Sequence, residues 1–185
     1  MREKSRAAVL AAFAGDCLAL GPHWIYDQAR IAREFSGLSA PAPPLEDSCH
    51  KGKSLGDLTH YGDQMLVLLE SLAACGAWDR ADFAHRWQAL FAGGAPIYLD
   101  NATRRTLDNI ATGWPVEDAG SLSDDLAGAC RFAPLLAFVH DEESLAAAAR
   151  EQAALTHKAP TVLAAGTFLA GAVLGLSGPG TKISG

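Results

Sequence analysis

The chain has 185 residues, of which 49% are hydrophobic and 19% charged, and a formal net charge of −6. So apolar a chain with so little charge is not disordered. Its 36 Ala against 11 Val plus Ile exclude an all-β fold and disfavour a parallel α/β sheet, whose buried strands read as Val/Ile runs. The fold class expected is all-α, a compact multi-helix bundle forming one domain over residues 1–185. The 15 Lys and Arg are scattered, with no run longer than Arg104-Arg105, which excludes a general nucleic-acid surface.

Seven or eight helices are predicted. The first runs from Glu3 to Leu20 and a short one from Gln28 to Phe35. A polar stretch from Ser36 to Gly62 follows, with Pro41, Pro43 and Pro44; a loop that long inside a compact domain is usually functional. A strong helix starts at Asp63 as N-cap and stops at Gly76. Another follows Asp79, with Phe83, Trp87, Leu90 and Phe91 on one face. Asp100 to Ala111 is helical, and Asp124 or Asp125 caps a helix carrying Arg131 and Pro134. Glu142 to Leu155 is an Ala-rich helix. The last helix starts near Pro160, and the tail SGPGTKISG reads as a loop or frayed end.

Three features bear on location. The basic start and apolar run of MREKSRAAVLAAFAG suggest a signal peptide, but Asp16 interrupts the run early. Cys17, Cys49, Cys75 and Cys130 form no C-x-x-C pair and read as buried free thiols of a reducing compartment. Ala159 to Leu176 has eighteen uncharged residues, the lower edge for a membrane span, yet it is rich in Ala and Gly and lacks basic or aromatic anchors. It reads as a buried helix packed through small residues. The location expected is cytoplasmic, with no membrane partner.

Reactive side chains concentrate in two segments. In the first, Gly15 to Asp27, an apolar helix runs straight into Asp16, His23, Trp24, Tyr26 and Asp27. In the second, HKGKSLGDLTHYGDQ, lie His50, Asp57, Thr59, His60, Tyr61 and Asp63. Hard oxygen ligands such as Asp and Thr suit Mg²⁺, whereas imidazoles suit Zn²⁺ or acid–base work.

In order along the chain, Gly15-Asp16, His60 to Met65 followed by LVLLESLA, Leu126 to Leu135 (LAGACRFAPL) and Thr156-His157 resemble four motifs of the ADP-ribosylglycohydrolase family, which includes the J1 crystallins. They look like its G-D element, its T-D-D-T-Q-M helix start, its N-G-x-x-M-R-x-x-P-L segment and its T-H motif. The resemblance implies an all-α fold, a binuclear Mg²⁺ site, and cleavage of the glycosidic bond joining ADP-ribose to a protein side chain or small molecule. Such ions hold the ribose hydroxyls and position the attacking water.

The match has departures. His60 stands at the first metal-binding Thr, Tyr61 and Gly62 replace both aspartates, and Asp63 replaces the last Thr. His23-Trp24 occupies the neighbourhood of the family's acidic residue past G-D. The D-x-D-T motif is not in this sequence, which resembles the N-terminal half to two-thirds of the family domain. The apolar last helix calls for neighbours on all sides, supplied by a homo-oligomer partner or by a missing C-terminal part.

Two functional readings follow. In a divergent hydrolase, Asp63, His60 and His23 form the catalytic set, and either Asp57 and Asp63 hold one metal or an imidazole serves as general base. Asp16 and Gly128 belong to the substrate site, and Trp24 or Tyr61 stacks on adenine. Arg131 pairs with the pyrophosphate or forms a salt bridge to Asp124 or Asp125. His157 reaches a ribose or phosphate oxygen or makes a local contact below Pro160. Alternatively, the chain is a non-catalytic nucleotide-binding or crystallin-like structural relative.

Overall fold

The structure is a computed structural model that describes residues 2–94 and 97–177. Of the tail, all but Ser177 lies outside the described residues. Eight α-helices follow one another: α1 (Arg2–Ala19), α2 (Gln28–Glu34), α3 (His60–Cys75), α4 (Arg80–Ala92), α5 (Asn101–Ala111), α6 (Ala127–Cys130), α7 (Glu142–Ala154) and α8 (Pro160–Ser177). A 3₁₀ turn, Ala133–Ala137, lies between α6 and α7. No strand occurs among the described residues; one isolated bridge joins Ser121 to His157. The all-α expectation holds.

Local chemistry sets most boundaries. Asp79, Asp100 and Asp141 cap α4, α5 and α7 by accepting backbone N–H groups of the first turn. Gly76 ends α3 in the left-handed region at φ 73°. Two boundaries differ from expectation. The N-cap of α3 is Thr59, whose hydroxyl accepts from Tyr61 and Gly62 N–H, and Asp63 sits inside the first turn. The helix expected after Asp125 is broken into α6 and the 3₁₀ turn, because Pro134 at the start of that turn lacks an N–H and cannot continue an α-helix.

The core joins Val67, Leu68 and Leu72 of α3 to Phe83 and Trp87 of α4, Leu135 and Leu136 of the 3₁₀ turn, and Leu145 of α7. Helix α8 lies on α7 and α6. Val162 and Ala170 are fully buried there, and Gly166 faces the Ala149 carbonyl. On the other side Phe168 is 72% exposed, so within the chain α8 is covered on one side; its small residues form the packed stripe. No helix among the described residues is long and apolar enough to cross a membrane. The cysteines are free, as expected, but Cys75 and Cys130 are exposed and not buried, since each ends its helix away from the core.

Candidate functional site

The turn after α1 and the long loop 35–59 converge on the N-terminus of α3. His23 comes from the turn, His50 from the loop and His60 from the first residue of α3. His23 Nδ1 lies 2.7 Å from His50 Nε2. The His60 ring centroid is 5.3 Å from that of His50 and 5.4 Å from that of His23. One ligating nitrogen from each ring lies within 4.8 Å of the others. His50 and His60 are buried, while His23 is partly exposed.

Aromatic rings wall this centre. Trp24 stacks on His23 at 5.2 Å and meets Tyr98 edge-on at 5.2 Å. Tyr61 lies against His60 at 4.0 Å. Trp24 has φ 61°, the left-handed region. It is the sole non-glycine residue at positive φ among the described residues, and such strain persists where surrounding structure fixes it. The indole thus stands over His23 and one edge of a cleft of about 420 Å³ lined also by Tyr26, Arg30, Asp47 and Cys49.

Burial keeps the His23 and His50 imidazoles neutral. His23 is pushed down to about 4, first by burial and then by the neighbouring His60. His50 is pushed down to about 3 by burial, by His23 and His60, and by Lys53. A carboxylate backs the third ring: Asp100 Oδ2 lies 3.4 Å from His60 Nε2. Asp100 is buried, and its other oxygen caps α5 through Thr103 N–H at 2.6 Å. Burial alone would raise that carboxyl, but His60 and Thr103 outweigh it and hold it below its ordinary range. Burial also raises the Tyr61 phenol, which stays neutral.

The acidic residues expected in the site are engaged locally. Asp16 accepts from Thr59 N–H at 2.8 Å and Thr59 Oγ1 at 2.6 Å, tying α1 to the start of α3. Asp63 accepts from Lys53 Nζ through both oxygens, at 2.7 and 2.6 Å. Burial lifts the Asp63 carboxyl above its ordinary range, and Lys53 offsets this in part. Asp57 accepts from Ser54 N–H at 2.7 Å within its own turn. Neither Asp57 nor Asp63 belongs to the histidine cluster, the one group of three or more potential ligands in mutual reach among the described residues.

Three further residues of the expected substrate site turn out to be internal. Arg131 is 3% exposed. Its guanidinium donates to Gln64 Oε1, Gln152 Oε1, the Gln152 carbonyl and Thr156 Oγ1. Among the described residues it forms no salt bridge to Asp124 or Asp125. His157 is 1% exposed, with Nδ1 on Thr156 Oγ1 and Nε2 donating to Asp125 at 3.0 Å. A hydrogen-bonded chain therefore runs from Arg131 through Thr156 and His157 to Asp125. Gly128 leaves room for the His157 ring: a β-carbon there would stand 2.6 Å from Nδ1.

His50, Lys53, Tyr98 and Asp100 are the residues that sequence reasoning left out of the site. His50 had a signal, since it opens the dense second segment. Asp100 and Tyr98 lie some 40 residues further on, and nothing local marks them.

A comparison with curated proteins finds no match. The family model described as ADP-ribosylglycohydrolase matches residues 1–182, nearly the whole chain, in agreement with the all-α bundle. The chain belongs to the ADP-ribosylglycohydrolase family.

Proposed function

We propose that the chain is a glycosidic-bond hydrolase acting on an ADP-ribosylated protein side chain or small molecule, with its water activated at the histidine centre. The observation that carries this reading is the contact of His23 Nδ1 with His50 Nε2 at 2.7 Å, beside the cleft that Trp24 borders.

The family's carboxylate-held Mg²⁺ does not fit the residues present. Gly62 offers no ligand and Tyr61 keeps its proton. Asp16 is held by Thr59, and Asp63 already carries an ammonium on both oxygens. Mg²⁺ demands oxygen ligands in near-octahedral array, and the side chains that converge here are nitrogen donors.

The chemistry follows from the imidazoles. A water oxygen bonds to the anomeric carbon as the bond from that carbon to the leaving nitrogen or oxygen breaks. Such transition states are oxocarbenium-like, so departure of the leaving group leads and a weak base suffices. His23 is neutral at pH 7, and with Nδ1 on His50 its other nitrogen takes the water's proton. The leaving group takes up a proton in turn. Trp24, 38% exposed, and Tyr26, 85% exposed, offer faces on which an adenine stacks.

A second reading, a nucleotide-binding relative without catalysis, is favoured by one observation: Lys53 neutralises Asp63 from within the chain. Calorimetric titration with ADP-ribose, with and without Mg²⁺, separates the cases from a loss of the site. The hydrolase reading expects binding that Mg²⁺ leaves unchanged and turnover of an ADP-ribosylated substrate. Binding without turnover supports the second reading, and no binding contradicts both.

A further inference from the structure

We infer that His23, His50 and His60 form a three-histidine site for one divalent transition-metal ion of the Zn²⁺ class. The inference goes beyond the hydrolytic reading, since the ion can be held whether or not the chain turns over a substrate.

Three observations meet here. The first is geometry: one nitrogen from each ring lies within 4.8 Å of the other two. Zn²⁺ binds imidazole nitrogen at about 2.0–2.1 Å, so rings this close need only small rotations to share one ion. The second is burial without partners. Among the described residues, the buried side-chain atoms lacking a hydrogen bond are His50 Nδ1, both ring nitrogens of His60, Asp100 Oδ2 and Ser71 Oγ. All but Ser71 belong to this centre. A buried polar atom left unpaired is costly, and such atoms rarely gather at one point without a ligand to satisfy them.

The third observation is the backing carboxylate. Metal-bound histidines usually give their second N–H to a carboxylate, which fixes the tautomer and aims the other nitrogen. Asp100 Oδ2 lies 3.4 Å from His60 Nε2 without a hydrogen bond, close enough to enter that relation when the ring turns onto an ion. The α5 cap fixes Asp100 in place.

The chemistry selects the ion. Three imidazoles suit Zn²⁺, Co²⁺ or Ni²⁺ and not Mg²⁺. Three protein ligands leave coordination positions for water, the arrangement of catalytic and not structural zinc.

The test uses the full chain, freed of metal with a chelator and titrated with Co²⁺. The expected result is one equivalent bound, with the visible ligand-field absorption of a four- or five-coordinate ion, bleached by Zn²⁺ and untouched by excess Mg²⁺. His50→Ala and His23→Gln abolish the band. Asp100→Asn weakens binding by about 10–100-fold, the usual loss for an outer-shell carboxylate. His85→Ala, at an exposed histidine outside the centre, retains it. His23 is partly exposed, so His23→Gln keeps the fold, and helical circular dichroism verifies this, even where His50→Ala does not. Absence of the band in the wild-type chain, or a band unchanged in folded His23→Gln, overturns the site. Neither result depends on hydrolysis, so failure here leaves the hydrolytic reading to its own test.

Discussion

The carboxylate of Asp16 occupies the space that a β-carbon on Gly62 would take. Asp16 Cγ stands 2.6 Å from that point and Leu58 Cβ 2.8 Å. Position 62, where the family motif carries an aspartate, is therefore closed to any side chain unless Asp16 moves. Asp16 is held by two hydrogen bonds to Thr59. The loss of the motif's carboxylate and the seating of Asp16 on the helix cap are one structural fact.

Gly62→Ala is expected to destabilise the fold by about 1–3 kcal/mol, the usual cost of overpacking. Asp16→Ala also destabilises, because Thr59 loses both bonds. The double variant loses less than the sum of the two, since removing Asp16 opens the space. A thermal-denaturation double-mutant cycle reads this coupling; strict additivity would mean that the two residues do not compete.

Arg131 is a buried strut. Arg131→Lys loses the planar fork that serves Gln64, Gln152 and Thr156 together. The expected loss is about 3 kcal/mol, from several buried acceptors left short of a donor. Any Arg131 variant that stays folded binds ADP-ribose with unchanged affinity, and calorimetry verifies it.

Trp24 holds a strained backbone conformation. A non-glycine residue in the left-handed region costs about 1 kcal/mol or more. Trp24→Gly and Trp24→Ala both lose the ring over His23. Trp24→Gly is expected to be the more stable of the two by about 1 kcal/mol, because glycine adopts this φ without strain. Urea denaturation of the pair measures it, and both variants bind ADP-ribose more weakly than the wild type.

Asp125 gives the acid side of the stability profile its slope. His157 donates to it, as do Ser123 and the Ala127 N–H, and they hold its carboxyl well below the ordinary range. The unfolded carboxyl titrates near pH 3.9. A depressed folded value means that the unfolded chain takes up the proton first, so the stabilisation is complete above about pH 4 and lost as pH falls below it. Asp125→Asn removes this part of the slope. Because the side chain is 45% exposed, solvent screens the interaction, and the loss at pH 7 is about 1 kcal/mol. Denaturation midpoints from pH 3 to pH 7 read the difference between the two chains.

What was legible in the sequence was local. Asp79, Asp100 and Gly76 announce helix ends by chemistry confined to three or four residues, and those ends stand where expected. Asp63 misled because it is as good an N-cap type as Thr59, and a glycine inside a first turn counts against helix. The contact of Gly62 with Asp16, 46 residues earlier, was invisible at that range. The same distance limit hid the fates of Arg131 and His157. Their partners Gln64, Gln152 and Asp125 come from other elements, and only their convergence separates a buried strut from a phosphate clamp. His23 and His60 were legible as reactive residues because each interrupts an otherwise apolar or helical run. That His50 joins them, and that a carboxylate stands behind His60, needed the fold.

The central claim is that water activation has passed from carboxylates to the imidazole centre. The most direct measurement is the rate of ADP-ribose release from an ADP-ribosylated peptide by the wild-type chain and His23→Gln, each with and without added Mg²⁺. The account predicts release by the wild type that Mg²⁺ does not raise, and a loss of at least about 100-fold in His23→Gln, the scale of one acid–base group. Release that requires Mg²⁺ and proceeds equally well in His23→Gln would contradict it.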